Sequence, residues 1–400
     1  MTQRSTQNPQ NPQSQDLSAS SASSVLYVVI PGDLETRTGG YGYDRRIIAG
    51  LRDRGWFVDV QRLDDSFPTP TSAAREHAAQ VFAAIPDGST VLVDGLALGA
   101  LPADVEREAT RLTIVALVHH PLAAETGLDP ALAAALDVSE RRALAASSSV
   151  VVTSRATAAR LADYGVGTNR ITVVEPGTDP APLARGSAHN AQRSALGDKP
   201  SALSPEPFDK PSAISRQPCE VALLCVATLT PRKGYELLLS ALAAIPQRNW
   251  RLTCAGSLER DAATVARVRA QLRADGLDDR VSLAGDMDAA TLATHYDRAD
   301  LFVLPTLYEG YGMAVAEALA RGLPVVSTAT GAIADLVGGA GLVVPPGDLP
   351  AFTDALSRVL GDSHLRAQLA ADARRVRDRL PTWAAAAAAM AQALEREAAR

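Results

Sequence analysis

Short apolar runs closed by Gly, Pro or charged residues recur along most of the chain, each followed by a stretch with helical spacing. In the first half the runs are Val25–Ile30, Phe57–Val60, Val91–Val93, Leu112–Val118, Val150–Thr153 and Ile171–Val174. The second half offers Leu223–Ala227, Arg251–Ala255, Val281–Ala284, Leu301–Leu304, Pro324–Ser327 and Gly341–Val344. Strand then helix, repeated, predicts α/β structure with parallel sheets buried on both faces. Between the halves, residues 184–218 are rich in Ser, Pro, Ala and Gly without periodicity and read as a long linker or insertion. The expected architecture is two Rossmann-like domains facing across a cleft. Residues 25–183 form the first, 184–219 the linker, 220–380 the second, and 381–400 a final helix. Residues 1–24 carry Gln, Asn, Pro and Ser without an apolar stretch and are expected to be a disordered tail.

Composition changes this picture little. A chain of 400 residues exceeds the size at which one core stops growing, so two domains are expected. A formal net charge of -6 gives no basic field for nucleic acid, so phosphate contacts should be local. Cys219, Cys225 and Cys254 show neither metal-ligand spacing nor a disulfide framework, and they read as packing residues. Neither a transmembrane run nor a signal peptide is expected, which fits a cytoplasmic enzyme. The helix expected over Tyr43 to Arg54 sets Arg45, Arg46, Arg52 and Arg54 beside Ile47, Ile48 and Leu51. That pattern allows weak peripheral contact with an anionic membrane, although a surface helix covering the sheet explains it better.

The chemistry concentrates between Ala299 and Ala334, where Glu309 and Glu317 flank a strand-to-helix turn carrying Gly310 and Gly312. Pro305 closes the strand, and Met313 to Ala320 reads as a helix with small residues on its packing face. The glycines let backbone approach a ligand, and the unpaired N–H groups near Met313 and Ala314 suit an anion such as a diphosphate. Glu317, one turn into the helix, is placed to accept ribose hydroxyls, while Glu309 in the loop faces the remainder of the ligand. Upstream, the strand within Leu223–Leu239 runs into a Pro-Arg-Lys-Gly turn. Arg232 and Lys233 therefore stand at a strand's carboxyl end, where open parallel sheets bind ligands. Each feature alone reads as solvated surface; together they make an anion clamp. Glycines at 39, 40 and 42 follow the first strand, with Gly40 the favoured point of close approach. Their spacing is not the dinucleotide fingerprint. His119 and His120 end the strand Leu112–Val118 and point into the same cleft.

These segments resemble the donor site of family 4 retaining glycosyltransferases, in which an E-x7-E motif and an upstream Arg-Lys pair lie in the C-terminal domain. Val28–Tyr43 is similar to the family's first strand and glycine-rich loop, Ile171–Asp179 to the end of its first domain, and Trp383 to the aromatic near its C-terminal crossover helix. The likeness covers the chain from about Val25 to Leu394, apart from the linker. It implies the GT-B fold, an acceptor held by the N-terminal domain, and a donor that is a nucleoside diphosphate sugar. It also implies His119 on the transferred hexose and retention at the anomeric carbon without a metal or other cofactor. Four positions depart from the family pattern: His120 stands where Asp is frequent, Pro176 where Asn is frequent, and Ala334 with Asp335 in place of Pro-Glu. Asp179 is shared and reads as a structural turn residue. Donor base and acceptor stay open. A sugar-nucleotide epimerase and a non-catalytic nucleotide- or glycan-binding protein are the alternatives.

Overall fold

The computed structural model describes residues 25–187 and 220–399. The expected tail, most of the linker and Cys219 lie outside the described residues. All twelve apolar runs form strands. The first half holds β1 (Leu26–Pro31), β2 (Val58–Leu63), β3 (Thr90–Asp94), β4 (Thr113–Val118), β5 (Ser149–Val152) and β6 (Ile171–Val173). The second holds β7 (Val221–Val226), β8 (Trp250–Ala255), β9 (Val281–Gly285), β10 (Leu301–Leu304), β11 (Val325–Thr328) and β12 (Gly341–Val344). They assemble into two six-stranded sheets ordered β2-β1-β3-β4-β5-β6 and β12-β11-β10-β7-β8-β9. The ladders are parallel, with Leu301 opposite Leu223 and Phe302 opposite Leu224 in the centre of the second sheet. Sheet order reverses direction at β1/β3 and at β7/β10. Those two switch points are where an open parallel sheet leaves a crevice beyond its strand ends.

Why the sheets are covered on both faces follows from the central strands. Leu301, Phe302, Val303 and Leu304 of β10 are all buried, as are Val91, Leu92 and Val93 of β3, so side chains pointing to either face meet a helix. The edge strand β2 instead carries Asp59, Gln61 and Arg62 and is only partly covered.

The final helix, Trp383–Ala398, packs against the first sheet. Met390 and Leu394 are buried with Leu26, Val28, Tyr43 and Leu51, and each such side chain contributes roughly 1.5–3 kcal/mol. Its run of alanines lets the helix Gly39–Arg52 come close, and the Thr178 N–H bonds the Pro381 carbonyl at 2.7 Å to seal the entry of the final helix.

Two expectations need correction. The helix after β1 begins at Gly39, not Tyr43: the Thr38 hydroxyl caps it by accepting from Tyr41 N, so the glycines form its first turn instead of a free loop. Its apolar face is not available to a membrane either, because Ile47, Ile48 and Leu51 are buried against the sheet and the final helix. Arg46 lies over the Trp383 ring at 5.0 Å and pairs with Asp179, Arg54 bonds the Ala384 carbonyl, Arg52 that of Val58, and Arg45 that of Thr36. Among the described residues no helix is long and apolar enough to cross a membrane.

Candidate active site

Parallel pairing of β7 with β10 sets the turns that follow them side by side. The Leu307 N–H bonds the Arg232 carbonyl at 2.7 Å and the Thr306 hydroxyl bonds the same oxygen at 3.1 Å, so the cationic turn and the glutamate turn are stitched together. Lys233 Nζ consequently forms an ion pair with Glu309 Oε1. Arg232 Nη1 donates to the Tyr308 carbonyl at 3.1 Å and lies 4.0 Å from Glu309 Oε2, while Thr306 Oγ1 is 3.3 Å from Glu309 Oε1. Burial pushes the Glu309 carboxyl up, but Lys233 and then Arg232 outweigh it and hold the group below the usual carboxylate range. The result is a charged carboxylate in contact with two half-buried cations.

Gly312 adopts a left-handed conformation, with φ of 98°, and starts the helix Met313–Ala320 without a side-chain cap. The N–H groups of Met313 and Ala314 are therefore the open end of that helix. Glu317 accepts from the Tyr296 hydroxyl at 3.1 Å, and Arg321 stacks over the Tyr296 ring at 4.2 Å. Burial raises the Glu317 carboxyl, with Tyr296 and Arg321 opposing. Among the described residues no hydrogen bond or ion pair joins Glu317 to Glu309, Arg232 or Lys233, so the two glutamates occupy separate surroundings.

The first domain supplies the facing wall. Gly310 abuts the backbone of His119 so closely that an added Cβ would overlap the His119 carbonyl oxygen. A Cβ on Gly40 would stand 3.5 Å from the His119 ring, and one on Gly39 would stand 3.9 Å from Met313 Sδ. The glycine turn, His119 and the start of the Met313 helix thus converge. His119 Nε2 donates to Asp44 Oδ1 at 3.2 Å and lies 3.6 Å from Asp94 Oδ2. Burial works to discharge the imidazole, but Asp44 and then Asp94 outweigh it and lift its pKa to about 10. This ring nitrogen is committed to carboxylates, which leaves only the opposite edge of the His119 ring open to other partners. Between the domains a cavity of about 410 Å³ is lined by Ala124, Ala156, Thr157, Arg160, Tyr308 and Gly331.

Sequence reasoning missed Asp44, Asp94 and Glu125. A signal existed for the first two: Asp44 lies on the helix that Gly39 begins, and Asp94 ends a strand at its ligand-facing tip, where its carboxylate caps Leu96 N at 2.8 Å. Glu125 had none, because its position depends on how the domains meet.

Fold and site define a two-domain α/β protein of the GT-B class. Residues 220–362 match the family described as Glycosyl transferases group 1. A D-inositol 3-phosphate glycosyltransferase of Xylanimonas cellulosilytica is 33% identical over 275 residues, which is 66% of this chain and 61% of that protein. The chain spans about two-fifths to three-fifths of the length of the curated relatives it matches. Sucrose-phosphate synthase from Thermosynechococcus elongatus superposes with a TM-score of 0.73 at 21% identity, over 93% of this chain and 98% of that one. Anabaena Alr3699/HepE in complex with UDP-glucose gives 0.68 at 16% identity, over 93% and 99%.

Proposed function

We propose that this protein is a retaining glycosyltransferase that moves a hexose from a nucleoside diphosphate sugar to an acceptor hydroxyl. The observation that carries the reading is the cluster of half-buried Arg232 and Lys233 around buried Glu309 at the β7/β10 switch point, opposite the His119 wall of the first domain. The match to Glycosyl transferases group 1 over the same half supports it, as does the UDP-glucose complex of a structural neighbour.

In this scheme the open N-terminus of the Met313 helix and the two cations hold the diphosphate, and Glu317 accepts the ribose hydroxyls. As the bond between the anomeric carbon and the phosphate oxygen breaks, negative charge grows on the diphosphate. Arg232 and Lys233 oppose it in a site with little water, supplying charge compensation a divalent ion would otherwise give. The acceptor oxygen bonds to the anomeric carbon on the leaving-group face, and its proton passes to the departing phosphate oxygen. Glu309 orients the sugar and favours positive charge at the anomeric centre without forming a bond to it. Closure of the first domain excludes water that would otherwise hydrolyse the donor.

The test is a thermal-shift panel of UDP-, GDP- and ADP-sugars, followed by assay of nucleoside diphosphate release with and without candidate acceptors. The reading requires stabilisation by at least one donor, release that depends on acceptor, and a product whose anomeric configuration by NMR matches the donor's. Release or isomerisation without acceptor would contradict transfer, and an inverted product would contradict retention.

A further inference from the structure

The loop after β4 carries a carboxylate of the first domain into the cation pair of the second. Glu125 Oε1 stands 3.1 Å from Arg232 Nε, and its other oxygen lies 3.5 Å from His120 Nε2. The N–H of Thr126 donates to Oε1 at 3.1 Å, and the His120 ring lies 5.8 Å from that of Tyr308, whose carbonyl holds Arg232 Nη1. Arg232 thus has a carboxylate on either side, Glu125 from one domain and Glu309 from the other.

These two carboxylates are not held alike. Glu309 is buried and tied to Lys233, and Thr306 packs against it. The Glu125 side chain is 39% exposed, and although Arg232 Nε is buried, its N–H is not aligned for a hydrogen bond to the nearby carboxylate. Charge alone holds this pair, whereas Glu309 is buried and hydrogen-bonded to Lys233, so Glu125 is the more readily displaced of the two. The loop is built to allow it. Its start is pinned where the Leu122 N–H bonds buried Glu140 Oε2 at 2.9 Å, whereas Thr126 and Gly127 beyond Glu125 form a turn in which Gly127 is exposed. Burial pushes the Glu125 carboxyl up, but His120 and Arg232 outweigh it and hold its pKa at about 2, so the group is an anion under all ordinary conditions. An incoming diphosphate and this anion therefore compete for one guanidinium.

Resting on the donor reading above, we propose that Glu125 is the internal counter-ion of the donor site: it occupies Arg232 until the diphosphate displaces it, and it thereby sets donor affinity. A residue that merely oriented Arg232 would have the opposite effect on binding when removed.

The experiment is calorimetric titration of the full chain, Glu125→Gln, Arg232→Ala and the double variant with UDP, GDP, ADP and inorganic pyrophosphate. Glu125→Gln is expected to bind the preferred diphosphate about 5- to 30-fold more tightly than wild type, as measured couplings between close charges allow, and that gain disappears on the Arg232→Ala background. Unchanged or weaker binding by Glu125→Gln, with Arg232→Ala still weakening the wild type, overturns the exchange and leaves the donor site standing. Absence of binding for all four probes in both wild type and Glu125→Gln removes the diphosphate site and the exchange together.

Discussion

Lys233 and Glu309, 76 positions apart in sequence, form an ion pair because the strands that precede them are neighbours at the centre of the second sheet. Each lies one turn beyond a strand end, and the bonds from Leu307 and Thr306 to the Arg232 carbonyl fix the separation. A cation for a leaving group and a carboxylate for a sugar are thus set side by side by sheet order.

Lys233→Ala leaves the Glu309 carboxylate buried with Arg232, 4.0 Å away, as its remaining cation. We expect a loss of about 2–3 kcal/mol in urea unfolding, since breaking a largely buried pair strands one charge. In the transfer assay this variant and Arg232→Ala should lose turnover by more than they lose donor affinity, because the opposing charge grows toward the transition state. Undiminished turnover in both would remove the clamp.

Glu317→Ala should weaken the nucleotide by about tenfold if its carboxylate accepts ribose hydroxyls. The comparison that isolates this role uses the 2′-deoxynucleotide, which should bind wild type less well and lose less on mutation. Equal losses for the two nucleotides would assign Glu317 to the Tyr296–Arg321 packing alone.

Gly310→Ala places a methyl group where the His119 carbonyl oxygen stands. Neither side of that contact is a flexible side chain, so the domains must separate by a few tenths of an ångström or more. Turnover should fall at least about tenfold, as small misplacements at a reacting centre are costly. Urea unfolding should change far less, because the contact lies between domain cores and not within one. Full activity would show that the closed contact is dispensable.

Glu140 gives a pH dependence whose sign is fixed. Burial raises its carboxyl from an ordinary 4.5 to about 8, with the Leu122 N–H opposing. Between those values the folded protein holds a proton that the unfolded chain has released, so stability from this group falls as pH climbs through the window and levels off above it. The slope approaches about 1.4 kcal/mol per pH unit at most. Glu140→Gln should flatten the decline measured by unfolding at pH 5, 6.5 and 8.5, and an unaltered slope would show that Glu140 ionises freely.

The central strands of both sheets were legible in the chain because a strand covered on both faces must be apolar at every position, and that property is local. Leu301–Leu304 carries it without any knowledge of its neighbours. The Arg232–Lys233 turn and the Glu309 and Glu317 positions were legible for the same reason, as strand ends announce themselves by Pro305 and by the glycines that follow. The start of the first long helix was misjudged because Gly39, Gly40 and Gly42 are poor helix formers, yet the Thr38 cap and the neighbouring domain hold them in a helical turn.

What the chain determined alone is where each element lies and which residues stand at the strand tips. Tertiary structure decided the partners: Lys233 for Glu309, Asp44 and Asp94 for His119, Glu125 for Arg232. An apolar run is read from its own few residues, whereas a pairing depends on strand order and on how two domains close. Those bring groups from distant parts of the chain within about 4 Å, a range at which charges partly shielded from water shift one another's ionisation.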